Sequence, residues 1–389
     1  MVKKRRVVLL IPSAQISNIR RLQGVADYAR RQADWALSIN PMSFSMPVTR
    51  ESLRDCGADG LILFAITKEQ QEAALASELP VVNLSSMLPP SRLPRVMVDN
   101  AAVGRLAAEH LLERGLQRFA FFGEQETWCS AERARAFSER LAQANSSCSC
   151  LDAPCIIERV DQWRQWERQL EDWLKSLEPP VGLFGQNDNR ALMAVDACLR
   201  LGLRVPEDVA VLGARNSEVA CELSQVSLSS IGWHNQEVGY KAAELLDQLM
   251  QGVEPDHKER LVAPYGVVER RSTQLLAVDD EHVLSAARLI RDHLHDSSFS
   301  IDKLCRMVPV SRRWLERRFG NFLHCTPHEY LCRARVQHAI QLLESPEKLT
   351  MREIAHRCGF DESRQLRVVF QRITGRTPTE YRQLATGRL

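Results

Sequence analysis

Residues 310–319, VSRRWLERRF, set four arginines around one tryptophan and one leucine. Alone, the stretch is an amphipathic helix, and a solvated charged face is the reading to beat. Its echo further along the chain changes the balance. LCRMVPV (304–310) aligns with IAHRCGF (354–360) at an offset of 50 residues. Phe319, Thr326-Pro327 and Glu329-Tyr330 then recur as Phe370, Thr377-Pro378 and Glu380-Tyr381 at an offset of 51. One extra residue in the middle of the second copy accounts for the shift. Two similar helical units follow from the repetition.

Each unit reads as a short helix, a tight turn and a second helix. Met351–Arg357 is the first helix of the second copy, with Gly359 where the turn needs a left-handed residue. Ser311 follows the turn in the first copy and is placed to cap the next helix; Asp361 takes that place in the second. Leu315 and Phe319, and then Leu366 and Phe370, are the core pairs. Arg313, Glu316 and Arg317 share the outward face of the first copy. Ser363, Arg364, Gln365 and Arg367 lie on or beside the exposed face of the second. Arginine can fork to guanine O6 and N7, and glutamine can pair with adenine, so such helices suit the major groove of double-stranded DNA. Arg313 and Arg317 are the base-contact candidates; Arg312 is expected on phosphate and Arg318 beside the core. A helix from Pro327 to Leu343 joins the units and could hold the two readers roughly 34 Å apart, one DNA turn.

The rest of the 389-residue chain has another texture. RVVLLI (6–11), DGLILFA (59–65), PVVNLS (80–85), FAFFG (119–123), VGLFG (181–185) and VAVLG (209–213) read as buried strands. Helical stretches such as 18–32, 101–114 and 189–201 lie between them. The alternation implies an α/β domain of parallel, helix-covered sheets, and its length favours two lobes with a cleft. Charge divides at the same place: residues 281–389 hold 19 Lys/Arg against 12 Asp/Glu, a net +7, leaving −5 for residues 1–280. A basic appendage on an acidic body suits a polyanion. The domain boundaries expected are 5–275, a linker over 276–284, and 285–389.

Other classes fit less well. The basic start MVKKRRVVLLIPSA resembles a signal peptide, but its apolar run is short and the segment after it suits a βα helix, so a cytoplasmic protein is expected. No apolar run reaches the roughly 18 residues of a membrane span. Eleven cysteines without a framework suit a reducing compartment. Cys148, Cys150 and Cys155 read as a polar surface loop, because no histidine and no zinc spacing accompany them. No G-x-S-x-G, P-loop or dinucleotide fingerprint occurs in a supporting context, so neither enzyme, cofactor nor metal is expected. A solute-binding protein with a basic tail is the alternative; it predicts an export signal and no duplicated helix–turn–helix. A hydrolase on a doubly wound sheet would need a nucleophile–base pair at strand ends, and none can be assembled.

VSRRWLERRF and GFDESRQLRVVFQRITGRTPTEYR resemble the AraC-family DNA-binding domain, which has two helix–turn–helix units on a linking helix. The resemblance spans nearly all of residues 281–383 and implies that Arg312, Arg313, Glu316, Arg317, Ser363, Arg364, Gln365 and Arg367 face DNA. Pro309, Leu366 and Val368 depart from the family pattern. VMVDNAAVGRLAAEHLLERGLQRFAFFG (96–123), QNDNRALMAVDACLRLGLRVPEDVAVLG (186–213) and VVERRST (267–273) resemble the LacI/GalR-type effector domain, a two-lobed fold related to periplasmic sugar-binding proteins. That resemblance implies a small carbohydrate-like effector held by Ser85, Arg133, Asn187 and Asp188, and a homodimer. An activator of this class would also meet RNA polymerase. In GARN (213–216) the family usually has aspartate where Arg215 stands. The cation selects an acidic ligand, pairs with Asp188, or marks loss of effector binding.

Overall fold

The computed structural model describes residues 4–12, 16–39, 48–154, 160–254, 259–275, 277–278, 280–344, 347 and 349–385. Five strands open the chain: β1 (Arg5–Leu10), β2 (Trp35–Ile39), β3 (Gly60–Leu63), β4 (Val81–Asn83) and β5 (Arg95–Val98). Seven more follow: β6 (Arg118–Glu124), β7 (Cys148–Ala153), β8 (Val181–Gly185), β9 (Val209–Ala214), β10 (Ser229–Gly232), β11 (Glu259–Val262) and β12 (Gly266–Val268). They form two six-stranded sheets, ordered β11-β5-β4-β3-β1-β2 and β12-β10-β9-β8-β6-β7. Every pairing is parallel except β10 with β12. All six strands expected from apolar runs are present, and the two sheets are the two lobes.

Helices cover both faces because the central strands are apolar on both sides. They are α1 (Ile16–Arg31), α2 (Arg50–Asp55), α3 (Lys68–Ala76), α4 (Asn100–Leu112) and α5 (Trp128–Ala142), then α6 (Val160–Ser176), α7 (Asp188–Arg200), α8 (Glu218–Leu223) and α9 (Asn235–Met250). α1 and α9 bury Val25, Tyr28, Val238, Ala242 and Leu246 on the first sheet. Their backbones nearly touch: a Cβ on Gly24 would lie 1.9 Å from Gln236 O, and one on Gly239 would lie 1.9 Å from Arg21 O. Only glycine permits that approach, and it brings Arg21 to the start of α9.

The C-terminal domain is all helix: α10 (Glu281–Asp292), α11 (Ile301–Met307), α12 (Arg312–Leu323), α13 (Pro327–Glu344), α14 (Met351–Arg357), α15 (Ser363–Thr374) and α16 (Pro378–Ala385). α11–α12 and α14–α15 are the two repeated units. Four residues separate α11 from α12 and five separate α14 from α15, so the extra residue lies in the second turn. That insertion corrects one expectation. Ser311 does cap α12, accepting from the Trp314 amide at 3.3 Å, but Glu362, not Asp361, is the N-cap of α15 and makes no side-chain cap bond. The left-handed C-caps repeat too, as His324 (φ 52°) and Gly375 (φ 76°).

Two further expectations change. α10 starts inside the stretch read as linker, because Asp280 caps it by accepting from the His282 and Val283 amides. The segment before it is docked as well: the Ala277 amide donates to Arg114 O at 2.7 Å, and Val278 is buried in the C-terminal core. Residues 276 and 279 lie outside the described residues. Cys148 and Cys150, read as loop, belong to edge strand β7, with sulfurs 3.9 Å apart. An edge strand faces water along one side and needs no continuous apolar run. Cys155 lies outside the described residues.

Candidate DNA-reading surface and ligand cleft

The first reading helix, α12, is anchored by Leu315, Phe319 and Leu323, all fully buried. Its opposite face separates the four arginines. Arg313 and Arg317 are exposed, with no ion pair among the described residues. Arg312 is exposed too but is tied to Glu316 at 2.9 Å and Asp302 at 3.4 Å. Arg318 turns inward to Asp280 at 2.5 Å and lies over the Trp314 and Phe322 rings. It therefore fastens α12 to the cap of α10, as its place beside the core implied.

In α15, Leu366 and Phe370 are fully buried, while Arg364, Gln365 and Arg367 are exposed and Ser363 is half-buried. Val368 is 61% exposed, so an apolar side chain stands among the exposed Arg364, Gln365 and Arg367. Gly359 in the preceding turn has φ +71°, and a Cβ there would lie 2.2 Å from Leu294 O. The units are braced by Arg335 of α13, which donates to Leu294 O at 3.1 Å and Asp296 O at 2.8 Å and lies over Phe360. His295 Nδ1 also contacts Arg357 O at 2.6 Å.

The cleft is built at the carboxyl ends of the strands, where open α/β sheets bind ligands. Ser85, just past β4, is buried and its hydroxyl accepts from the Met87 amide at 3.1 Å. Arg133 of α5 is 4% exposed. It donates to Asn100 Oδ1 at 2.9 Å and to Gln186 O, and lies over the Trp233 ring at 5.3 Å. Asn187 caps α7 by accepting from the Arg190 amide at 3.0 Å. Asp188 is buried, accepting from Ser230 Oγ at 2.5 Å and the Ser217 amide at 2.7 Å. Burial pushes its carboxyl above the usual range despite those donors. Arg215, directly after β9, has φ 121°, a strained value for a residue with a side chain. Its expected alternative partner is engaged elsewhere: among the described residues no ion pair joins Arg215 to Asp188.

Sequence reasoning missed Arg21, which donates to Asn18 Oδ1 at 3.1 Å and Asn235 Oδ1 at 3.2 Å and lies over Phe64 at 5.4 Å. Phe64 and Trp233 each follow a strand directly, and that was the available signal. No helix among the described residues is long and apolar enough to cross a membrane. No cluster of three metal-ligating side chains occurs among them either.

The candidate cleft and the C-terminal domain are in contact through the loop after β9. Asn216 Nδ2 donates to the Tyr265 hydroxyl at 3.0 Å. Tyr265, just before β12, is buried in the core of the second unit with Val336, Ile340, Phe370 and Tyr381. Arg376 pairs with Glu237 at 2.6 Å and Arg333 with Glu113, both across the domain boundary.

A two-lobed ligand-binding domain docked onto a duplicated helix–turn–helix defines the class: a DNA-binding transcription regulator. The periplasmic binding protein-like domain family matches residues 108–273, and a helix-turn-helix domain family matches residues 304–384. The xylose operon regulatory protein of Escherichia coli K12 is 30% identical over 98% of both chains. That of Haemophilus influenzae Rd is 27% identical over 97% of this chain and 98% of its own. The solved structure of the xylose-binding transcription activator xylR has a TM-score of 0.61 and 28% identity over 98% of this chain and 99% of its own. The chain belongs to the family of xylose operon regulatory proteins.

Proposed function

We propose that the protein is a cytoplasmic, sugar-responsive regulator of sugar catabolism genes, acting by binding and not by catalysis. The ligand domain spans 5–275, and the reader follows the docked segment that leads into α10. Arg313 and Arg317 contact bases from α12. Arg312 and Glu316, held together on the same helix, steady the phosphate side. Ser363, Arg364, Gln365 and Arg367 present the second reader. Ser85, Arg133, Asn187, Asp188 and Arg215 frame the effector site; Asn187 and Asp188 act chiefly by fixing the helix start and the loop around it. Two copies form the working dimer, and RNA polymerase is the partner at the promoter. A ligand changes DNA binding only by favouring one lobe arrangement over another. The hydrogen bond from Asn216 to Tyr265 supports such a link, since it ties a cleft loop to the second unit's core.

The observation that carries this reading is a repeated helix–turn–helix whose exposed faces hold Arg313, Arg317, Arg364 and Arg367, none of them in an ion pair among the described residues. Replacing Arg313 or Arg317 by alanine should weaken binding to a duplex from the regulator's own promoter region by about 1–3 kcal/mol and relax its sequence preference. Fluorescence anisotropy measures both. Unchanged affinity in both variants would remove α12 from the interface.

A further inference from the structure

Three arginines that form no ion pair among the described residues converge on the cleft. Arg21 comes from α1 of the first lobe; Arg133 and Arg215 come from α5 and the loop directly after β9 in the second. Among the described residues, Arg21 is held by the side-chain amides of Asn18 and Asn235 and lies over the Phe64 ring. Arg133 is held by Asn100 and the Gln186 carbonyl. Among the described residues, the Arg215 guanidinium has no hydrogen-bond or ion-pair partner. The three groups feel one another. Burial, then the charges of Arg215 and Arg133, pull Arg21 down to about 9, and burial and Arg215 pull Arg133 down to about 10. Arg21 and Arg133 remain charged at neutral pH.

The nearby carboxylates offset this charge only in part. Glu124 and Asp188 are the two whose field reaches Arg133. Glu124 is already paired with Arg190 at 2.9 Å. Asp188 is committed to Ser217 and Ser230. Four guanidinium groups therefore face two carboxylates. Withdrawing a charge from water without a counter-charge is unfavourable, and like charges beside it add to the cost. Neutral amide partners orient the guanidinium planes and leave their charge intact.

We propose that the cleft takes an anionic polyol, a small polyhydroxylated molecule bearing a carboxylate or phosphate seated between Arg21 and Arg215. The inference rests on the sugar-responsive reading above and names its ligand class. Guanidinium forks match either anion bidentately. Because Arg21 and Arg215 belong to opposite lobes, an anion between them turns repulsion across the cleft into attraction and favours closure. A neutral sugar leaves that repulsion in place.

Matched pairs test this on the full chain by thermal shift and calorimetry: D-xylose against D-xylonate, and D-glucose against D-gluconate and glucose 6-phosphate. Acetate and inorganic phosphate serve as anion-only controls. An anionic member should bind at least about tenfold more tightly than its neutral counterpart. The carboxylate and phosphate arms tell which anion is preferred. Arg21→Gln and Arg215→Asp should each weaken that anion about tenfold or more, and added salt should weaken it in the wild type. The wild-type pairs need no variant to fold. Equal or tighter binding of the neutral member overturns the anionic ligand and leaves the sugar-responsive reading standing. Binding of the controls as tightly as the sugar anions overturns the polyol. No binding by either class overturns both readings.

Discussion

Gly359 and Gly320 make opposite demands on a methyl group. Gly359→Ala adds left-handed strain and a Cβ 2.2 Å from Leu294 O, so it should cost more than about 1 kcal/mol. Gly320 sits exposed in α12 with open space around its Cβ position, so Gly320→Ala should gain about 0.5–1 kcal/mol. Denaturation midpoints report both, and shifts of the same sign contradict the account. Gly359 and Ser311 were legible in the sequence because turn and cap requirements are local. Asp361 was misplaced because an alignment across one inserted residue does not say where the insertion sits. Arg21 was illegible for a different reason. It is one arginine on an amphipathic helix, and only the close approach at Gly24 and Gly239 makes it part of a site.

The repeat was the most legible element, since residue spacing alone carried it. Six strands were legible as apolar runs. The missed strands divide by physical cause. β2, β7, β11 and β12 are sheet edges, where water on one side permits polar residues such as those of CSCLDA. β5 and β10 lie inside their sheets, but Arg95 and the Ser229-Ser230 pair interrupt their apolar runs. The crossing of β11 back to the first sheet is a tertiary choice that no local pattern encodes. Two readers on one braced connector predict a footprint with two protected segments about one helical turn apart for each protomer. Replacing Arg364 and Gln365 together by alanine should erase one segment and spare the other. Loss of neither segment would leave α15 outside the contact.

At the scale of the molecule, the domain boundary combines ion pairs with an apolar anchor at Tyr265 and is incompletely filled. A cavity of about 430 Å³ remains between the domains, lined in part by Glu109, Glu113, Arg333, Gln337 and Arg372. An interrupted seam of this kind allows domains to shift more readily than a continuous apolar one. His234 lies at the same boundary, 4.7 Å from the Tyr265 ring and 4.9 Å from that of Tyr381. Burial, then the charge of Arg376, pulls it down to about 4. The unfolded chain takes up that proton near 6.5, so it binds more protons than the native chain between the two values. Stability from this group is therefore complete above about 6.5 and lost as pH falls toward 4. His234→Phe should flatten that part of the pH–melting curve; a curve parallel to wild type contradicts the assignment.

The most direct test of sugar-controlled DNA binding is linkage between the two sites. The affinity of the full chain for one promoter duplex should be measured by fluorescence anisotropy, with and without a saturating sugar or sugar anion already shown by calorimetry to occupy the cleft. The account predicts a change of about fivefold or more in DNA affinity. Identical affinities with the cleft empty and filled would contradict it.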